Sequence, residues 1–174
     1  MKLERIPFKN LQEPSISEEI LEAFQDNIDN AINTKPVLKV RTNRQQINIS
    51  SNWGKAVLHL NQIEINNDNE NEYFTVSDNK IVVGKDVSFV RVVAFTTGIQ
   101  ANKNSLGDKE FILNKNGTRT ESFYQRATQP GWNGAIVISD FSVSEGDNFN
   151  IVITSQEADT LEILDGFLQI EAIK

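Results

Sequence analysis

The stretch "LNKNGTRTESF", residues 113–123, places Asn116 and Gly117 between two runs that have the character of strands. Asn-Gly at a strand reversal is a strong hairpin signal, because a type I′ turn needs positive φ at both central residues and these two tolerate it best. The returning run carries Thr118 and Thr120 and few large apolar residues. The stretch therefore predicts a β-hairpin.

The period-two pattern of this hairpin extends from Pro36 to the end of the chain. Turn signals such as Asn66-Asn67-Asp68-Asn69, Glu145-Gly146-Asp147 and Asp165-Gly166 separate the runs. Many short strands without interleaved helices predict an antiparallel sandwich or barrel. The expected strands are Val37–Arg41, Gln45–Ser50, Lys55–Ile65, Tyr73–Val76, Lys80–Val83, Val87–Thr96, Lys109–Leu113, Thr118–Ala127, Gly134–Val143, Asn148–Thr154 and Leu161–Ile173.

The amino-acid composition limits the classes of function that the protein could have. The chain has 174 residues, of which 39% are hydrophobic, enough for one domain with a core and a short appendage. A net charge of −7 disfavours binding to nucleic-acid phosphates, and the absence of cysteine excludes disulfides and thiolate chemistry. The N-terminus lacks the apolar region of a classical signal peptide, and no stretch has the apolar length needed to cross a bilayer. We therefore expect a soluble protein.

Residues 14–33, "PSISEEILEAFQDNIDNAIN", are the only segment with a convincing helical pattern. Ser15 and Glu18 fit a capping box. Four apolar residues share one face at a/d spacing: Leu21, Phe24, Ile28 and Ala31. About two heptads cannot sustain an isolated coiled coil, so this face needs a partner. We expect an oligomer seam or a docking contact with a larger assembly, with packing on the chain's own domain as the alternative.

The strand predicted at Val87–Thr96 is apolar on both faces. One set of alternate residues contains Phe89 and the other contains Val92. A strand with one solvent-exposed face should alternate with polar residues, so the second face is expected to be covered, most simply by another subunit. The predicted oligomer interface consists of Leu21, Phe24 and Ile28 on the helix and of Phe89, Val90, Val92 and Ala94 on this strand.

Five stretches resemble the tumour-necrosis-factor-like jelly roll, which is also the fold of the complement globular head. They are "YFTVSDNKIVV", "SFVRVVAF", "ILNKNG", "ISDFSVSEGDNFNIVI" and "LDGFLQIEAIK", within residues 73–174. The resemblance implies an all-β, antiparallel jelly-roll sandwich, preceded here by a short N-terminal helix, that assembles as a homotrimer. Residues 1–35 would then serve attachment and oligomerisation, and residues 36–174 would form the β head.

The segment "LQEPSISEEILEAFQDNIDNAI", residues 11–32, resembles the Pro-then-helix entry of minor structural proteins of tailed bacteriophages. The sequence shows no Gly-x-y repeat like that of the complement proteins, and we do not expect the membrane anchor that the cytokines carry. The resemblance implies a non-enzymatic head fibre, decoration protein or tail appendage on the virion surface, by analogy of fold. Its expected partners are other virion proteins, bound through the N-terminal segment, and a host-surface carbohydrate. Neither nucleic acid nor membrane insertion is expected. The alternatives are an extracellular adhesin or carbohydrate-binding module and a glycan hydrolase.

The sequence offers few groups for catalysis. His59 is the single histidine and has no partner in any motif, so we expect a partly exposed strand residue. The carboxylate pairs Asp140 with Glu145 and Glu157 with Asp159 lie in predicted turns, where acidic residues are common and could at most hold Ca²⁺. We therefore predict no catalytic residues, no metal site and no cofactor.

Trp132 is the best single candidate for ligand binding. The stretch "QPGWNG" places its ring in a tight loop, and aromatic rings beside amides are a common way to bind sugars. The predicted ligand-binding residues are Trp132, Tyr124, Asn133 and Gln129. Capping of the sandwich by Trp132 is the alternative. For Trp53, in "SSNWGK", we expect packing rather than binding.

Overall fold

The computed structural model describes residues 35–68, 72–99, 108–125 and 133–173. These residues form strands and turns without a helix, so none of them lies in a helix that could span a membrane. The predicted helix at residues 14–33 falls outside the described part. The thirteen strands are β1 (Val37–Thr42), β2 (Gln45–Ile49), β3 (Gly54–Val57), β4 (Gln62–Asn66), β5 (Phe74–Ser77), β6 (Lys80–Val83), β7 (Phe89–Ile99), β8 (Lys109–Lys115), β9 (Thr118–Gln125), β10 (Asn133–Ser142), β11 (Asn148–Ser155), β12 (Asp159–Ile163) and β13 (Asp165–Ala172).

The strands form two large antiparallel sheets and one small one. The five-stranded sheet has the order β10-β7-β13-β1-β4. The six-stranded sheet has the order β5-β6-β11-β8-β9, with β3 also paired to β11, and β12 pairs with β2 in a separate ribbon. Apart from the hairpins β5-β6 and β8-β9, neighbouring strands in these sheets are far apart in sequence, as in a jelly roll. The predicted all-β antiparallel architecture is confirmed.

The core lies between the two large sheets because each sheet turns alternate side chains inward. In β1, Leu38 and Val40 are buried while Lys39 and Arg41 point away from the core. Each large apolar side chain buried in this way contributes about 1.5–3 kcal/mol. The largest fully buried core residues are Phe74, Phe111, Phe149, Leu38, Leu58, Ile81, Leu113, Ile151, Ile153, Leu161, Ile163 and Leu168.

The Asn-Gly hairpin has the predicted geometry. Asn116 and Gly117 have φ values of 53° and 75°, and they join β8 to β9. A second two-residue turn, at Asp78 and Asn79, has φ values of 48° and 63° and joins β5 to β6. Positive φ at both central residues is the condition for type I′ turns, whose twist matches that of the strands.

The Asn-Gly hairpin is fixed to the turn before β11 by the carboxylate of Asp147. Asn116 Nδ2 donates to Asp147 Oδ1 over 2.7 Å, and Lys115 Nζ lies 2.8 Å from Oδ2. The backbone N–H of Ser144 donates to the same Oδ2. Partial burial raises the pKa of Asp147, but the hydrogen bonds from Lys115, Asn116 and Ser144 outweigh it, so the pKa lies below its usual value.

Two predicted strands are each divided in the structure. The segment 55–65 leaves the six-stranded sheet after β3 and joins the five-stranded sheet at β4. Along the crossing, Gln45 binds the backbone of His59, and Asn79 Oδ1 accepts the N–H of Leu60. These side chains supplement the backbone hydrogen bonds that Leu58 and Asn61 donate to Ile151 and Arg41. The segment 161–173 divides at Leu164, where the chain passes from the small ribbon to the five-stranded sheet.

Candidate functional site: the outer face of the five-stranded sheet

The outer face of the five-stranded sheet is the surface that points away from the core, and β7 shows which residues occupy it. Val90, Val92 and Ala94 are completely buried in the core of their own chain. Phe89 has the opposite orientation and is 46% exposed. The sequence assigned these four residues to a subunit interface. For Val90, Val92 and Ala94 that assignment is corrected, because intrachain packing leaves only Phe89 accessible to a partner.

Large apolar side chains continue across this face from β7 to the edge strand β10. Ile136 pairs with Phe95 and Ile138 pairs with Val93 in the antiparallel register. Ile136 and Ile138 are 54% and 60% exposed, although soluble monomers rarely expose neighbouring aliphatic residues of this size. We call the group the apolar patch; its members are Phe89, Val93, Phe95, Ile136, Ile138 and Phe167.

The patch is ordered by ring contacts on its inner side. The rings of Phe95 and Phe167 stack with centroids 5.1 Å apart, and Lys39 Nζ lies 4.3 Å from the centroid of Phe167. Stacked rings and a cation over a ring face are both favourable arrangements. The aromatic part of the patch is therefore preorganised rather than loose.

Charged residues lie within and beside the patch, and they are paired with one another. The Arg91–Asp140 pair lies between Phe89 and the Val93–Ile138 pair. Arg91 donates to both carboxylate oxygens of Asp140, over 2.8 Å and 2.9 Å. The hydrogen bond from Arg91 lowers the pKa of Asp140, and the same bond raises the pKa of Arg91. Arg41 makes a similar pair with Asp165, at 2.8 Å and 3.2 Å. Because the charges are already compensated, a partner could cover them without leaving an unpaired ion.

Only part of the predicted ligand site lies in the described part of the chain. Trp132 and Gln129 fall outside it. Asn133 is the first residue of β10 and pairs with Ile99. Tyr124 lies on the edge strand β9, is 50% exposed, and donates its hydroxyl to the carboxylate of Asp108. A shared site of these residues stays a prediction.

Two of the carboxylates considered for catalysis lie beside a basic side chain. His59 is exposed in the crossing between the sheets. Asp140 is bound by Arg91, and the buried carboxylate of Asp159 lies 3.6 Å from Lys109 Nζ. Within the ranges that the structure describes, no three His, Cys, Asp or Glu side chains come together as a possible metal site.

Sequence reasoning missed the patch residues outside β7. Ala135 and Val137 are buried while Ile136 and Ile138 are exposed, so β10 is apolar on both faces, as β7 is. The signal that distinguishes the two faces is Arg91, which falls in the same alternate set as Phe89. A charged residue in one of two apolar sets marks the set that faces outward.

The sequence matches no family model and no curated protein. Solved structures do match the fold. Murine APRIL at pH 8.0 is 12% identical, with a TM-score of 0.58 over 80% of this chain and 100% of that chain. Eiger TNF from S. frugiperda is 9% identical, with a TM-score of 0.58 over 80% and 94%. The globular domain of the zebrafish complement 1qA protein is 15% identical, with a TM-score of 0.52 over 81% and 98%. The chain therefore has a tumour-necrosis-factor-like jelly-roll fold.

Proposed function

We propose that this chain is a non-enzymatic structural protein of a tailed-bacteriophage virion, a head fibre, decoration protein or tail appendage, whose β head assembles as a homotrimer and binds the host surface. The apolar patch carries the assembly part of the proposal. Its exposed isoleucines and Phe89 would be covered by neighbouring subunits, as closed cyclic symmetry allows. The resemblance to the tumour-necrosis-factor-like jelly roll supports three as the number of subunits.

The side chains on the outer face of the five-stranded sheet are more typical of a surface that another protein covers than of one that stays in contact with water. Aromatic and aliphatic side chains form its centre, and paired charges such as Arg91 with Asp140 lie beside them. Interfaces between proteins have this arrangement, with an apolar centre and a polar rim.

The N-terminal segment supports the attachment part. Residues 1–35 carry the helical pattern that resembles the entry of phage minor structural proteins, and they would join the head to the particle. Deleting them should leave a folded, trimeric or monomeric β head that no longer incorporates into particles. Normal incorporation of the truncated protein would contradict this part of the proposal.

Light scattering of the full chain tests the assembly part. We expect three times the chain mass of 19.6 kDa at micromolar concentration. A monomer mass under these conditions would overturn the trimer. Electron microscopy with an antibody to this chain then tests the virion part, because labelled heads or tails are expected and unlabelled particles would contradict it.

A further inference from the structure

A concavity of about 170 Å³ lies on the outer face of the six-stranded sheet, away from the apolar patch. Lys55, Thr154 and Glu110 form one row across β3, β11 and β8, because Thr154 pairs with both neighbours in the antiparallel register. The next row contains Val152 and Ile112, which line the same concavity. A polar row therefore lies directly beside an apolar one.

An aromatic ring stands at one end of the concavity. Trp53 is 48% exposed, which contradicts the packing role expected from the sequence. Its φ is 54°, a left-handed conformation that is uncommon for a bulky side chain. The backbone N–H of Trp53 donates to the carbonyl of Ser155 over 2.7 Å, which fixes the turn to β11. Strained residues that do not serve packing cluster at ligand sites.

The charged side chains that line the concavity carry a net positive charge. Arg119 lies 2.5 Å from the carboxylate of Glu110, whose side chain is only 10% exposed. Arg119 remains 58% exposed and also donates to Ser122 Oγ over 2.6 Å. Lys55 makes no ion pair with any residue that the structure describes. Two cations therefore stand against one carboxylate.

A polar atom in the concavity wall also lacks a partner. Thr154 is 3% exposed, and its Oγ1 forms no hydrogen bond with the described part of the chain. Asn114, on the same wall, adds an amide that can donate and accept. Buried hydroxyls are nearly always bonded, and this unpaired one lies in the same row as Lys55 and Glu110.

We propose that this concavity binds a single pyranose ring that carries a carboxylate, as a uronic acid does. The apolar CH face of the sugar would stack on Trp53, and its hydroxyls would bond to Glu110 and Asn114. The carboxylate would lie between Lys55 and Arg119, which together supply the charge that Glu110 does not cancel. A volume of about 170 Å³ is smaller than the usual range of drug-sized sites, which fits one ring rather than a long oligosaccharide.

The site belongs to one chain, so it does not depend on the proposed assembly. A single shallow site of this kind is expected to bind weakly, with a dissociation constant of about millimolar. Several copies on one particle would bind a decorated surface more tightly through effective concentration. The proposal also moves the expected sugar contact from Trp132 to Trp53.

The test uses free glucuronate as the probe and glucose as the uncharged control. Saturation-transfer NMR on the full chain should show transfer to glucuronate. Glucose should bind at least about tenfold more weakly, because it lacks the carboxylate that makes the charge-assisted contact. Trp53→Asn should abolish the signal, because asparagine keeps the left-handed turn but removes the ring. Lys55→Gln should reduce glucuronate binding to the level of glucose.

Trp132→Ala is the matched control and should leave glucuronate binding unchanged. No transfer to glucuronate, equal binding of both sugars, or a full signal in a folded Trp53→Asn variant would overturn the proposal. If only Trp132→Ala lost binding, the sugar site would lie at Trp132 rather than at Trp53, and the proposal would be wrong. Light scattering on the same samples separates the two proposals. A trimer without sugar binding contradicts only this inference, and a monomer that binds glucuronate contradicts only the assembly.

Discussion

The two large sheets present different outer faces to the surroundings. On the five-stranded sheet, Ile136 and Ile138 are more than half exposed and lie opposite Phe95 and Val93. On the six-stranded sheet, the corresponding apolar residues Ile112 and Val152 are 4% and 5% exposed, although they lie outside the core cluster. The strand period is the same in both sheets. The outer face of the five-stranded sheet exposes apolar side chains of the kind that a protein partner covers. On the six-stranded sheet, the apolar residues of the outer face are buried and lie beside polar groups.

The largest effect is expected for a substitution on the inward side of β7. Val92→Asp places a carboxylate where the side chain is fully buried, with no partner to compensate it. We expect a loss of about 4 kcal/mol or more, enough to unfold the head. Circular dichroism and urea unfolding measure this directly. A folded Val92→Asp protein that is merely monomeric would mean that this residue belongs to an interface after all.

A substitution on the outward side of the neighbouring strand should act on assembly alone. Ile138→Asp changes a residue that is 60% exposed, so the subunit should keep its fold. Covering the new charge with a partner would cost about 2 kcal/mol or more per interface, which should give a monomer in light scattering. Val57→Asp, at a residue 38% exposed on the other sheet, is the matched control and should leave the mass unchanged. If both variants changed the measured mass equally, the outer face of the five-stranded sheet would not be a specific subunit interface.

A smaller effect is expected at Asp147, which fixes the Asn-Gly hairpin and lies in neither outer face. Asp147→Asn should lower the free energy of unfolding at pH 7 by about 1–2 kcal/mol, since it weakens charge-assisted hydrogen bonds from Lys115 and Ser144. The pKa of Asp147 is lowered in the folded state, so its stabilisation is present above the unfolded value of about 3.9. It is lost as the pH falls through the folded pKa.

The difference in stability between the natural chain and Asp147→Asn should therefore shrink below about pH 4. Urea unfolding at several pH values measures it, and Asp86→Asn, at an exposed turn residue, provides a control. A difference that stays constant down to pH 2 would show that the carboxylate charge is not the cause.

The smallest effect is expected for Asp140→Asn. The subunit should keep its thermal midpoint, because an exposed ion pair contributes little. If the patch is covered by a partner, Arg91 would then be buried without its carboxylate, and assembly should weaken. The pKa of Asp140 is lowered, so the pair is present above about pH 3.9 and is lost as the pH falls through the folded pKa. Sedimentation against pH should show this dependence for the natural chain and not for the variant.

The sequence predicted much of the fold because local signals agreed with it. Asn116-Gly117 needs only its own backbone preferences, and the alternation of β1 separates Leu38 from Lys39 without any tertiary information. The division of segment 55–65 could not be predicted, because it depends on Gln45 and Asn79 reaching across from distant parts of the chain. Periodicity alone does not report such contacts.

The outer surfaces were harder to predict than the strands. The two apolar sets on β7 differ in sequence mainly by Arg91, and in the structure Val92 lies in the core while Phe89 faces outward. Trp53 was expected to pack, because nothing in "SSNWGK" indicates that its turn is docked on Ser155 with the ring outward. Both features depend on register between strands far apart in the chain.

Thiol labelling tests the central claim, that neighbouring subunits cover the outer face of the five-stranded sheet. The chain has no cysteine, so Ile138→Cys introduces a single reactive group in the patch, and Val57→Cys places one on the other sheet. We expect labelling of Ile138→Cys to slow as the protein concentration rises and copies associate, while labelling of Val57→Cys stays constant. Equal and concentration-independent labelling of both thiols would mean that no neighbouring subunit covers this face.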